Sequence, residues 1–389
     1  MQILSNFKLV INLYLGDMDL ITIIILIGIG QGFFVSVLLL TLNRGNKTAN
    51  RLLGILIFLF SISISGFAFI RTDSYKDFPY LIGLPSTVIF LFGPFFYFYV
   101  KELTAGQLKF KKKYILNLIP FLVLIIYKLP FFLKSPEEKL ASLKSLGTFD
   151  ESLVILIIQI IHLFIYLFFV KKLLNEYELK IKSAMSSLDK INLRWISVGM
   201  NAFIVIFGIM TIFIVLFISG INIYSTYITI IPLLVSITIL AISYFGLTQP
   251  IIIPFEIEIN KSKKYEKSSL TSKNSEKYLE KLLTIMESEK PFLNNALTLQ
   301  KLSEMLSISQ HHLSQIINEK MNQNFFDFVN SYRIEEAKKL LLDKRGELLT
   351  ILAIAEEVGF NSKSAFNIAF KKYTSMTPTQ FKKQNLTKK

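Results

Sequence analysis

The sequence contains no cysteine, which excludes a disulfide framework, a thiolate metal site and a cysteine nucleophile. Histidine is nearly as scarce, with His162, His311 and His312 the only three. Together these absences set metal catalysis aside, and no cofactor is expected. Charged residues make up only 18% of the chain, and its long apolar stretches hold almost no acids. Those stretches offer neither a carboxylate pair nor a Ser/His/Asp arrangement, so the chain is expected not to be an enzyme. What remains is apolar mass and positive charge: 52% hydrophobic residues, 35 phenylalanines and a formal net charge of +15 over 389 residues. That balance is too apolar for an ordinary soluble protein. The excess of lysine suits anionic lipid, nucleic acid or both.

Seven apolar blocks can be marked out, at about 20–42, 52–70, 79–100, 114–133, 152–170, 196–219 and 226–248. Each is about long enough to cross a hydrocarbon core of roughly 30 Å as a helix. The first, "LITIIILIGIGQGFFVSVLLLTL", is uncharged and is preceded by Asp17 and Asp19 rather than by a basic cluster. It therefore reads as a retained span and not as a cleaved signal peptide. Fourteen Lys and Arg residues fall in the connections after the first, third and fifth blocks, among them Arg44, Lys101, Lys113, Lys171 and Lys182, against six in the remaining tail and connections. By the positive-inside rule the N-terminus is expected outside and the C-terminus in the cytoplasm of a bacterial inner membrane.

Beyond Pro250 and Pro254 the chain turns polar. "NKSKKYEKSSLTSKNSEK" has no sustained apolar stripe and reads as a linker, its lysines facing either lipid head groups or DNA. From about residue 275 apolar residues recur at helical spacing, and the chain repeats itself. Leu299, Leu302, Leu306 and Ile308 are matched 52 residues later by Ile351, Ile354, Val358 and Phe360, with Ser303 and Ser307 matched by Ala355 and Gly359. Leu313 and Ile317 correspond to Phe366 and Phe370 at an offset of 53. Each copy is a helix, a tight turn and a second helix anchored by i, i+4 apolar residues, the layout of a helix-turn-helix.

In the second copy Ala355 permits close approach, Gly359 suits a sharp helix exit, and Asn361 or Ser362 can cap the next helix. Burying Phe366 and Phe370 leaves Lys363, Ser364, Asn367, Ile368 and Lys371 outside. That mix suits a major groove: Asn pairs with adenine, Lys meets guanine or phosphate, and Ile touches a thymine methyl. From Asn361 to Lys389 there are seven lysines and no acid.

The stretches "LSEMLSISQHHLSQII", "YRIEEAKKLLL", "IAEEVGFNSKSAFNIAFKKY" and "MTPTQFKK" together resemble the DNA-binding domain of AraC/XylS-type transcription regulators, over about 110 residues. Ser303 and Ser307 stand where that family usually has alanine and often glycine, and Ser375 where it commonly has glycine. By motif position the resemblance implies base contacts from His311, Ser314 and Gln315, and from Lys363, Ser364, Asn367 and Ile368. The family often has arginine at the last of these, so Ile368 implies a different base preference. "GIGQGFF", "NKTANRLLGILI" and "FLFGPFFYFYVKEL" resemble a membrane-anchored subgroup with a seven-helix N-terminal region.

The expected fold is all-α, a seven-helix transmembrane bundle (1–250), a cytoplasmic linker (251–274) and a soluble helical domain with two helix-turn-helix units (275–389). Double-stranded DNA and membrane lipids are the expected partners, with an unidentified small molecule or membrane signal as input. A homodimer would raise affinity for paired sites through effective concentration, although no heptad seam is visible. Within the spans, Gln159, His162 and Tyr166 share a helix face, and Gln31 and Asn201 add polar groups elsewhere. These residues read either as interhelical hydrogen-bond glue or as a ligand- or proton-sensing pocket. A transporter- or receptor-like protein with a protein-binding helical tail is the alternative to a membrane-bound regulator.

Overall fold

The computed structural model describes residues 18–105, 112–143, 151–188, 193–221, 223–248 and 272–386. These fold as helices joined by turns, with an isolated bridge between Met185 and Thr298 and no strand among the described residues. The chain divides into two units, Met1–Leu174 with Leu193–Pro254, and Asn175–Asn192 with Phe255–Lys389.

The first unit holds α1 (Leu20–Thr41), α2 (Lys47–Arg71), α3 (Ile89–Ala105), α4 (Ile119–Phe132), α5 (Pro136–Leu143), most of α6 (Glu151–Ala184), α7 (Arg194–Ile218) and α8 (Tyr224–Thr248). Asp19 and Asn46 cap α1 and α2 by accepting from the backbone N–H groups of Thr22 and Ala49. Helices α1, α2 and α8 close on one another through small residues. A Cβ built on Gly28 would stand 2.6 Å from Ser236 Cβ, and one on Gly246 2.5 Å from Leu53 Cδ2. Such pairs let the helix backbones approach closely. Facing outward, Phe34, Ile126, Phe168 and Ile212 are each more than half exposed.

Among the described residues, six helices are long and apolar enough to cross a membrane: Leu20–Thr41, Lys47–Arg71, Tyr114–Phe132, Leu153–Ala184, Trp195–Ile218 and Tyr224–Thr248. The block at 79–100 departs from expectation, which makes the count of seven approximate. Pro79, Gly83 (φ +81°) and Pro85 hold its first part in a 3-10 turn and bends, so α3 begins only at Ile89 and runs for 17 residues. Its two ends nevertheless meet opposite ends of its neighbours. Just ahead of it, Ser86 Oγ accepts from Lys128 late in α4 and Ser86 O from Gln159 early in α6. Near its own end Glu102 accepts from Asn46 at the start of α2, and Lys101 donates to Tyr114.

The second unit combines the end of α6 with α9 (Ser272–Ser288), α10 (Leu299–Leu306), α11 (Gln310–Met321), α12 (Phe325–Leu342), α13 (Lys344–Leu348), α14 (Ile351–Glu357), α15 (Lys363–Thr374) and α16 (Pro378–Leu386). Residues 251–271 of the expected linker lie outside the described residues. Helix α12 joins two cores. Phe325, Phe328 and Val329 pack with Leu302, Leu306, Leu313 and Ile317, whereas Ile334, Ala337 and Leu341 pack with Ile354, Ala355, Phe366 and Phe370.

Candidate nucleic-acid interface

The repeat seen in the sequence is a repeat of geometry. Thr298 and Thr350 cap α10 and α14, accepting from the N–H groups of Lys301 and Ala353. Both helices end in the same two-bond turn: Ser307 N–H donates to Glu304 O and Ile308 N–H to Ser303 O, while Gly359 N–H donates to Glu356 O and Phe360 N–H to Ala355 O. This is the Schellman closure, which requires a left-handed residue. Ser307 adopts it at φ +57° and Gly359 at φ +91°. Ser309 and Ser362 then start α11 and α15, accepting from the N–H groups of His312 and Ala365. Asn361, the other expected cap, donates instead to Ser187 Oγ.

The buried faces set the phase of the two second helices. Leu313, Ile316 and Ile317 are buried on α11, and Phe366, Ala369 and Phe370 on α15. His311 is exposed, with Ser314 and Gln315 half-buried beside it; Lys363, Ser364, Ile368 and Lys371 are exposed, with Asn367 half-buried. At the offset of 53, His311, Ser314 and Gln315 correspond to Ser364, Asn367 and Ile368. The two helices thus present the same stripe, one turn per step. That stripe also contains Asn318, the counterpart of Lys371, which is exposed and donates to Ser314 Oγ at 3.3 Å. The sequence reading missed it, although the same offset points to it. Gln315 Nε2 donates to Glu319 Oε1 at 3.0 Å. Lys372 is committed to Asp327 at 2.6 Å, and the Tyr373 hydroxyl donates to Asp327 O. These contacts moor the end of α15 to the start of α12, and burial pushes the Tyr373 phenol well above its ordinary pKa. Lys382 donates to Gly346 O at 2.9 Å.

In the first unit, Gln159, His162 and Tyr166 do share a face of α6. Gln159 Nε2 donates to Ser86 O at 3.0 Å, the His162 ring meets those of Phe90 and Tyr166 with centroids 5.1 and 4.9 Å apart, and Tyr166 donates to Asn117 Oδ1 at 2.6 Å. Gln31 is half-buried on α1, and Asn201 is exposed on α7. Gln159 and Tyr166 thus hydrogen-bond across to neighbouring segments, whereas His162 Nδ1 is buried with no hydrogen-bond partner among the described residues.

Residues 302–384 match the helix-turn-helix domain family. An uncharacterized HTH-type transcriptional regulator of Staphylococcus aureus (strain COL) is 40% identical over 86 residues, 22% of this chain and 11% of that protein. The uncharacterized transcriptional regulatory protein YesN of Bacillus subtilis (strain 168) is 30% identical over 82 residues, 21% of this chain and 22% of YesN. The chain thus spans only about a tenth to a fifth of the length of these curated relatives. The C-terminal domain of AraT, a response regulator of Geobacillus stearothermophilus, is similar over 30% of this chain and 88% of that one, at 29% identity and a TM-score of 0.25.

Proposed function

We propose, from a C-terminal region that carries a helix-turn-helix domain of the AraC type, that the chain is a membrane-anchored, sequence-specific transcription regulator coupling a signal at the membrane to DNA. The observation that carries this reading is the doubled helix pair, in which two matched stripes stay open to solvent on a domain whose last 29 residues hold seven lysines and no acid. Proteins of this kind act by binding rather than catalysis. Immunoprecipitation of the full chain from cells and sequencing of the recovered DNA tests it. Discrete sites sharing a motif are expected; recovery without any sequence preference would overturn the reading.

Base reading has a sharper signature. Asn367→Ala is expected to lose about 1–3 kcal/mol of discrimination at one base pair, and Ile368→Arg to gain a preference for guanine at its own position. Lys371→Ala is expected to weaken binding to all sequences alike and to lower the salt slope by about one. Binding selection from a random pool separates the two behaviours. An unchanged preferred sequence in Asn367→Ala would remove that residue from the reading face.

The orientation we propose places the N-terminus outside and the C-terminal domain in the cytoplasm. Two observations support it besides lysine placement. Arg71, at the end of α2, donates to Asp19 and Thr22 at the start of α1 and to Thr229 near the start of α8. That three such ends meet supports an even number of crossings between the starts of α1 and α8, with α3 as the sixth. Seventeen residues rise about 25 Å, the short end of what a span needs. Secondly, Asn175–Asn192 belongs to the unit that holds the helix-turn-helix pairs, so the connection after α6 shares their compartment. Reporters active only outside are expected to work at residues 140 and 222, and reporters active only in the cytoplasm at 45, 108, 182 and 389. Residues 108, 222 and 389 lie outside the described residues. A cytoplasmic signal at 140, or an external one at 45, would remove the seven-span arrangement.

A further inference from the structure

Arg333 of α12 is fully buried between the two cores of the second unit, and its recorded hydrogen bonds all go to neutral oxygens. Nε donates to Phe292 O at 2.7 Å and Nη2 to Asn294 O at 2.9 Å, both on the segment that leads into α10. Nη1 donates to Ser186 O at 2.9 Å and Nη2 to Ser186 Oγ at 3.2 Å, from a residue that follows the end of α6. Ser186 is itself 1% exposed and donates through Oγ to Leu297 O at 2.6 Å. Its neighbours extend the contact both ways. Met185 forms a bridge with Thr298, the cap of α10, and Ser187 Oγ accepts from Asn361 Nδ2 at 2.7 Å, one residue before the cap of α15. Three consecutive residues therefore touch the entry of the first helix pair, the central helix and the turn of the second pair. None of this covers the reading stripes, since His311, Lys363, Ser364, Ile368 and Lys371 remain exposed with the segment in place.

We propose that the groove around Arg333 is a docking site for the chain's own segment Met185–Ser187, and that docking fixes the separation of the two reading helices on DNA. This rests on the DNA-binding reading above. The segment acts as a strap: it bridges two cores that also meet through α12, Leu293 and the packing of Gly359 on Phe292. The segment directly follows α6 (Glu151–Ala184), the helix that leads into it from the apolar part of the chain. When the strap leaves, the Ser186 contacts of Nη1 and Nη2 pass to water while Phe292 O and Asn294 O still hold the guanidinium. The domain therefore survives both states, and a signal that favours one shifts the population between them. The strap carries the sensory input as a spacing rule, and the bases are read by the same residues in either state.

The absence of native cysteine makes docking measurable in the full chain. A Ser187→Cys/Asn361→Cys variant in native membranes, treated with a short bismaleimide, is expected to form an internal cross-link in most molecules. Each single variant should react with a monofunctional maleimide and form none. Absence of the link when both cysteines react overturns docking. The consequence is read on a recovered DNA site and on the same site lengthened by two base pairs between its two contacted segments. The parent is expected to lose tenfold or more in affinity on the longer site. Ser186→Trp, which cannot fit a position 1% exposed, is expected to lose threefold or less, with Ser186→Ala between them. Equal losses in all three proteins overturn control of spacing even where the cross-link forms. If no protein shows sequence-specific binding, the regulator reading fails and the cross-link still decides docking.

Discussion

Arg333→Met is expected to destabilise the second unit by about 3–5 kcal/mol, the cost of removing one partner from a buried, charge-assisted network. Methionine fills much of the same volume, so the loss is not a cavity effect. It arises because Phe292 O, Asn294 O, Ser186 O and Asn330 Oδ1 all lose their donor. Arg333→Lys keeps the charge and is expected to fare little better, since one ammonium cannot reach oxygens arrayed around a planar fork. The guanidinium also lies over the Phe360 ring, 5.6 Å from its centroid, a contact that lysine does not reproduce with the same geometry. Burial lowers the pKa of Arg333 to about 10, so the wild-type group still carries its proton at neutral pH. Against a domain stability of about 5–15 kcal/mol, such a loss is decisive. Hydrogen exchange of the full chain, followed at peptides from α10 and α14, measures it. Unchanged protection in Arg333→Met would mean that the two cores hold without the arginine.

The doubled helix pair was legible in the sequence because each copy carries its own local instructions. Threonine and serine caps, an apolar i, i+4 anchor and a small residue at the exit are separated by only a few positions, and Phe366 with Phe370 was enough to phase α15. The apolar helices were legible for the same reason, by length and composition. What sequence spacing could not supply was the interruption of the block at 79–100, where two prolines and a left-handed glycine outweigh an otherwise apolar run. The part played by Arg333 was hidden more deeply. Its acceptors are mostly backbone carbonyls, which every residue possesses, and Ser186 lies 147 positions away. No pattern of residue types marks such a contact. Asn318 was missed for a simpler reason: the offset that aligned the buried positions was not carried to the outer face.

Gly359→Ala and Ser307→Gly are expected to act in opposite directions, although the two residues occupy equivalent turns. At Gly359 a Cβ would stand 2.6 Å from Phe292 O, 2.8 Å from Leu293 O and 3.0 Å from Arg333 Nε, and the backbone is held at φ +91°. Alanine there meets both a left-handed backbone and two carbonyls that Arg333 and the surrounding turn keep in place. Strain and overpacking together amount to about 2–4 kcal/mol. Ser307 is exposed, and its left-handed φ of +57° is a cost that glycine removes. The gain is partly offset by the greater freedom of glycine in the unfolded chain, leaving a net stabilisation of about 0.5 kcal/mol. The difference follows from position: the second turn is packed beneath Arg333, whereas the first faces solvent. Exchange protection of α10 and α14 in the two variants reads each effect locally. A Gly359→Ala protein with full protection of α14 would show that the segment at Phe292 and Leu293 can move aside, and that the turn is less tightly held than its contacts indicate.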